Sequence, residues 1–267
     1  MGKLDELFGR SSDKKRSELE ILEEIEDYVV VGDFEGAVEL VGSLNTEINR
    51  FLALRLILRG ILKEVEKGEV KKEEVIGVLG VVVPLINSIT NGRHRALLTF
   101  DTALILYYLG DSLRGDLSLK AAINLASGHD DVLVEMVREL VRRGLLEKAA
   151  GALKLVRDRD KLDSVLVTIA EIFHRMGEFE KAKEVVKHIK NPFHKAMALY
   201  YMAIVENSRN PEMAKTLIEG AIKVAEGINE PDARFEIMMK LYDLKATIEG
   251  SSIRLADILG KKKPPQE

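Results

Sequence analysis

Three six-residue segments of the 267-residue chain share one pattern: Gly32-Asp33-Phe34-Glu35-Gly36-Ala37, Gly144-Leu145-Leu146-Glu147-Lys148-Ala149 and Gly177-Glu178-Phe179-Glu180-Lys181-Ala182. A fourth, Glu212-Met213-Ala214 behind Asn210-Pro211, keeps the Glu-x-Ala core. Gly110, Gly144 and Gly177 are spaced by 34 and 33 residues, and Ala149, Ala182 and Ala214 by 33 and 32. A repeat of this length is one supersecondary unit that cannot bury its apolar face alone, so neighbouring units must stack. Each residue of the pattern has a physical role. The glycine ends a helix in the left-handed conformation, and the Phe or Leu closes the turn over the core. The Glu favours the first turn of the next helix, and the Ala lets that helix lie close to its neighbour.

Between these turns the apolar period is helical. Leu162, Val165, Leu166, Ile169, Phe173 and Met176 fall at offsets 0, 3, 4, 7, 11 and 14, one face of an α-helix. Phe179 to Ile189 and Ala214 to Ile228 repeat the pattern, and no sustained two-residue alternation calls for strands. A second kind of boundary carries helix-start residues: Asn45-Thr46-Glu47, Asn91-Gly92, Asp158 to Asp160, Asn191-Pro192 and Asn229 to Asp232. The expected fold is all-α, an α-α superhelix of about six to seven stacked helical hairpins. Its expected limits are a charged N-terminal segment over 1–16 and a repeat domain over 17–249, with the strongest repeats in 132–249. In the final segment, 250–267, Ser251 and Ser252 cap a last short helix ahead of a basic tail expected to be disordered.

The Gly-x-[Phe/Leu]-Glu-x-Ala turn at this period resembles the tetratricopeptide repeat. Gly32/Ala37, Gly144/Ala149 and Gly177/Ala182 match the family's glycine and small residue, and Tyr28, Leu140 and Phe173 match the large residue four before each glycine. The chain departs from the family in having no Trp, no systematic closing proline, and Ile25 and Val137 where Ala170 keeps a small residue. A HEAT-like repeat is the alternative. The resemblance implies a concave groove lined by the first helix of each repeat. Its polar positions here are Arg138, Arg142, Glu171, His174, Arg175, Tyr200 and Asn207, a set suited to an acidic peptide or a terminal carboxylate.

Composition narrows the function classes. The chain has no cysteine, which removes disulfides, thiolate metal sites and thiol nucleophiles and makes a reducing cytoplasm the expectation. No apolar run approaches the roughly 20 residues that span a bilayer, and the charged start of the chain is unlike a secretory signal. Heavy use of Lys, Glu and Arg also suits a thermophile. A net charge of −4 argues against nucleic acid, although residues 1–131 carry 16 basic and 23 acidic side chains while 132–267 carry 24 and 21. The five histidines form no His-x-x-x-His zinc motif, and His129-Asp130-Asp131 reads more simply as a helix-capping turn than as a metal cluster.

Two further features carry expectations. Val75 to Ile86, the most apolar stretch, reads as a helix covered by neighbours on both sides. Gly77 and Gly80 would allow close approach, Pro84 would kink or end the helix, and a dimer or partner face is the other reading. Arg50, Arg95, Lys161, Lys195 and Arg234 recur near helix starts, against the dipole, either as a salt-bridge ladder to carboxylates such as Glu180 or Glu212 or as a basic binding edge. The expected function is that of a non-catalytic interaction scaffold or adaptor for a protein or peptide, with no cofactor or metal. RNA binding by a helical repeat is the alternative, an all-α enzyme is third, and the oligomeric state is open.

Overall fold

The structure, a computed structural model, describes residues 16–68 and 70–249. All regular elements among the described residues are helices. They are α1 (Glu18–Val30), α2 (Phe34–Val41), α3 (Glu47–Lys67), α4 (Lys72–Asn87), α5 (Gly92–Tyr108) and α6 (Ser112–Leu125). After these come α7 (Asp130–Arg142), α8 (Leu146–Leu153), α9 (Arg159–Arg175), α10 (Phe179–His188), α11 (Pro192–Asn207), α12 (Pro211–Ala225) and α13 (Pro231–Glu249). The chain forms two compact units that meet in sequence at Ser127 and Gly128. The expected helix capped by Ser251 and Ser252, the basic tail and most of the charged N-terminal segment lie outside the described residues.

Within each unit the helices alternate in role. The odd-numbered helices pack on one another in chain order, α1 on α3 on α5 in the first unit and α7 on α9 on α11 on α13 in the second. Each except α13 is followed among the described residues by a partner packed against it: α2, α4, α6, α8, α10 and α12. The turn inside four of these pairs is the one read from the sequence. Gly32, Gly110, Gly144 and Gly177 have φ between 74° and 81°, where a β-carbon would be strained. The next residue's N–H reaches back five residues in every case: Asp33 to Tyr28, Asp111 to Leu106, Leu145 to Leu140 and Glu178 to Phe173, at 2.8–2.9 Å. Five residues past the glycine the side chain is small. Gly115 joins Ala37, Ala149 and Ala182 there, and a β-carbon on Gly115 would come within 2.7 Å of the Tyr107 ring. The Phe of the motif behaves unevenly, for Phe34 is buried while Phe179 is 38% exposed.

The second kind of boundary is held by a device that the sequence pattern does not announce. Glu18, the first residue of α1, accepts the backbone N–H of Asn45 at 2.6 Å and of Thr46 at 3.0 Å. Glu47, first in α3, accepts those of Thr90 and Asn91 at 3.0 and 2.9 Å. Asp130, first in α7, accepts those of Arg157 and Asp158 at 2.9 and 2.5 Å. Asp163, one turn into α9, accepts those of Lys190 and Asn191 at 2.9 and 2.7 Å. Thr46, Asn91, Asp158 and Asn191 are the N-caps of α3, α5, α9 and α11. A carboxylate near the start of one odd-numbered helix therefore clasps the residue that starts the next. Three of the clasps reach 27 and 28 residues ahead, and that of Glu47 reaches 43 and 44 because α3 and α4 are long. The proposed ladder through Glu180 and Glu212 does not form, since they pair with Lys183 and Lys215 of their own helices.

Two expectations are corrected. The helix enclosed around its circumference is α5, whose Phe100, Ala103, Leu104 and Ile105 are fully buried, and not the apolar stretch of α4. α4 packs on α2, α3 and α5 along one side, whereas Val81 and Val83 are exposed on its two flanks. Gly77 and Gly80 mediate no close approach, for a β-carbon at either would meet nothing within 4 Å. Pro84 lies inside the helix, which continues to Asn87. The capping reading of His129-Asp130-Asp131 is also refined: His129 is the N-cap of α7 but makes no side-chain cap bond, and the Asp130 carboxylate serves the turn ahead of α9.

The clasps make two predictions. Asp163 is buried, so Asp163→Ala leaves the amides of Lys190 and Asn191 without an acceptor and lowers the unfolding free energy by about 1–3 kcal/mol in a denaturant titration. Hydrogen bonds from Thr90, from its side chain first and then its backbone, together with that of Asn91, hold Glu47 at a pKa of about 2 against an ordinary 4.5. A folded-state pKa below the unfolded one contributes stability above the unfolded value that is lost as pH falls through the folded value. The stability gap between the wild type and Glu47→Gln is thus full near neutrality, shrinks below pH 4.5 and closes near pH 2, which thermal melts across that range will measure.

Candidate functional site

The polar positions expected to line a groove all lie in the second unit, on three successive odd-numbered helices. Their side chains divide by helical angle. On α9, Val167, Thr168, Glu171, Ile172 and Arg175 form one stripe at spacings of one, three and four, as one face of a helix requires. With Arg142 of α7 and Tyr201 of α11 they line a groove of about 530 Å³. Of the seven residues named from the sequence, Arg142, Glu171 and Arg175 are thereby brought together in one groove.

The other four expected residues sit elsewhere. Arg138 is half-buried, and its Nη2 donates to Ser164 Oγ of α9 at 2.6 Å, which braces α7 against α9. Tyr200 packs on the core cluster of α11, α12 and α13, and its neighbour Tyr201 takes the groove position. One residue along a helix is a rotation of about 100°, so an error of one in counting from the turn exchanges a lining residue for a packing one. Asn207 ends α11 and is not among the lining residues. His174 is buried behind the stripe, not on it.

The groove's electrostatics are uneven. Arg175 Nη2 lies 2.5 Å from Glu171 Oε1, an i, i+4 pair that largely neutralises both. Arg142 is exposed, and its nearest carboxylate contact, Glu139 Oε2, is 3.9 Å away. Glu139 is instead held by Arg143 at 2.8 Å, with both side chains mostly buried. Arg142 is thus loosely paired and accessible, the arrangement in which a guanidinium can take an incoming carboxylate or phosphate by paired N–H bonds. Val167, Ile172 and the Tyr201 ring supply apolar surface beside it. Chemically the groove offers a cation, a neutralised ion pair and an aromatic edge. No group of three or more His, Asp or Glu side chains among the described residues is placed to hold a metal ion.

Beneath the groove His174 Nε2 lies 3.0 Å from Glu206 Oε1 of α11, close enough for an ion pair but out of line for a ring N–H bond. His174 Nδ1 has no hydrogen-bond partner, and the Phe179 ring of α10 meets the imidazole edge-on at 4.9 Å. Burial lowers the His174 pKa below the ordinary 6.5. The Glu206 carboxylate opposes that shift without cancelling it, and the nearby Arg209 adds to it.

The chain matches no protein-family model. Nor does its sequence match that of any curated protein. No helix among the described residues is long and apolar enough to cross a membrane.

The buried histidine carries a prediction. Its folded-state pKa lies below the unfolded 6.5, so the unfolded chain binds the extra proton first as pH falls. The associated stability is present above pH 6.5 and is lost progressively below it. Replacing the imidazole in His174→Gln flattens the fall in stability between about pH 7 and pH 5 seen for the wild type in denaturant titrations, while lowering stability at pH 7 by about 1–3 kcal/mol because Glu206 is left buried without its partner.

Proposed function

We propose that this protein is a non-catalytic interaction scaffold, a degenerate tetratricopeptide-like solenoid that binds a protein or peptide along the odd-numbered helices of its second unit. One observation carries the reading: α7, α9 and α11 contribute Arg142, Glu171 with Arg175, and Tyr201 to a single groove of about 530 Å³. Successive helical hairpins stacked through their first helices generate such surfaces, and the four glycine turns lie inside hairpins while the four clasps lie between them. A guanidinium with only a weak partner beside apolar surface favours an acidic side chain or terminal carboxylate on an extended peptide. Its natural setting, from the cysteine-free sequence, is the reducing cytoplasm.

The test uses the tagged full chain to capture partners from a lysate, followed by titration of acidic and neutral peptides from the captured proteins. Arg142→Glu combined with Arg175→Glu lowers affinity for an acidic peptide at least about tenfold, near 1.4 kcal/mol, and leaves the helical circular dichroism unchanged. Arg138 is the wrong residue to reverse, since it holds α7 to α9. Equal affinity in the double variant, or salt-sensitive retention of RNA in place of peptides, overturns the acidic-peptide reading.

A further inference from the structure

We propose that the buried pair of His174 and Glu206 makes the groove of the second unit proton-sensing, so that an acidic ligand is held more tightly as the pH falls below neutrality. This regulation rests on the peptide-binding reading of that groove. His174 and Glu206 are 1% and 3% exposed. They face each other across the joint between α9 and α11, the two helices that give the groove Glu171, Arg175 and Tyr201. Neither imidazole nitrogen makes a hydrogen bond, nor does Glu206 Oε1. Buried polar atoms without partners cost stability, and an apolar pair would fill the same joint without that cost. Packing alone therefore gives no reason for two ionisable groups at this place.

The pair is joined to the groove by adjacent residues. Arg175 follows His174 directly and lines the groove, and its carbonyl oxygen accepts Arg209 Nη1 at 3.2 Å. The backbone N–H groups of Arg209 and Asn210 in turn bond the Glu206 carbonyl at 2.9 and 2.7 Å. Glu206 and Arg209 are the charged groups that act on the imidazole. From α10 it meets the Phe179 ring, and no ionisable group of α7 or α10 among the described residues acts on it. Glu171 and Arg175 of its own helix largely neutralise each other.

Near neutrality burial keeps the imidazole uncharged, and the groove offers one loosely paired cation, Arg142. A proton taken up by His174 sets a second positive charge behind Arg175. At a separation of roughly 10 Å and an intermediate dielectric, that charge and a ligand carboxylate change an equilibrium constant by on the order of tenfold, less where salt screens them. The coupling is reciprocal: the ligand raises the proton affinity of His174 by the factor by which the proton raises ligand affinity. Affinity for an acidic ligand thus rises over the pH range in which the stability of the fold declines.

Calorimetric titration of the full chain at pH 7.5 and pH 5.5, at one ionic strength, tests this with a peptide of alternating Asp and Ala and a control of alternating Asn and Ala. The wild type binds the acidic peptide about twofold or more tightly at the lower pH and shows no such gain for the control. In His174→Gln with Glu206→Gln two amides replace the two ionisable groups, so no charge is left buried alone. Affinity in that variant equals the wild-type value at pH 7.5 and does not change with pH. Equal wild-type affinity at both pH values, or a rise that persists in the double variant, overturns the proposal and leaves the peptide-binding reading in place. Absence of binding at either pH removes that reading and this regulation with it. A second measurement needs no ligand. Arg142→Glu sets an anion at the groove, so the titration midpoint of His174, followed by imidazole proton NMR, rises by about half a pH unit or more. An unmoved midpoint also overturns the proposal.

Discussion

A carboxylate accepting two consecutive backbone amides sets four of the joints by which one odd-numbered helix is stacked on the last. The start of an α-helix leaves several N–H groups without an intrahelical partner, and a residue at the N-cap has its own N–H to place as well. In this chain that N–H is assigned to the preceding odd-numbered helix through Glu18, Glu47, Asp130 and Asp163. Each bond fixes where the next first helix begins relative to the last, so register between hairpins is set by polar geometry while apolar burial supplies the attraction. Three of these acids are also the first residue of their own helices, where negative charge is favoured by the dipole. One side chain thus serves two helix starts. Thr46 illustrates the division of labour: its hydroxyl donates to Glu18 at 2.6 Å and accepts no cap bond from its own helix.

The apolar part of the stacking differs between the units. In the first, α3 and α5 bury large aliphatics, among them Leu54, Ile57, Leu58, Ile61 and Leu98, and close approach is confined to particular points. Gly60 is one such point, where a β-carbon would fall 2.5 Å from Val29 Cγ1. In the second, the cluster shared by α11, α12 and α13 is built on Ala196, Ala203, Ala221 and Ala225, with Ile218, Ile237 and Leu241 filling between them. Small residues bring helix axes together, and large ones hold them apart and open grooves at the edges.

How much of this could be read from the residues follows from range. The glycine turns were legible because they are local: the left-handed residue, the small residue five later and the acid in the new first turn all fall within six positions. The helix starts at Asn91, Asp158 and Asn191 were legible for the same reason. The clasps were not, since a Glu at the start of a helix already has a sufficient explanation in the dipole. Only the spacing of 27 and 28 residues between acid and N-cap, repeated in register with the glycines, carries the further signal. Tyr201 was missed by one step of helical phase. The cover of α4 was misjudged because an apolar run reports burial or contact with an absent partner in the same letters.

The two units use their odd-numbered helices differently, and the polar residues explain why. In the first, Asp101 of α5 is fully buried between Arg59 at 2.7 Å and Arg55 at 3.5 Å, both from α3. The arginines of that stripe are engaged in joining two helices, and Leu97 and Leu104 of α5 are buried with them. In the second, beside the clasps that both units share, the corresponding joints are made by Arg138 with Ser164 and by the buried His174 beside Glu206. Arg142 is then not required for packing and stays exposed with a distant partner. An arginine that holds a fold together cannot also be exchanged for a ligand without loss of stability, whereas a loosely paired one can. That distinction is why the proposed polar recognition is assigned to the second unit. In the first unit the two arginines of that stripe are committed to Asp101, and the groove between α4 and α6 is lined mainly by apolar side chains.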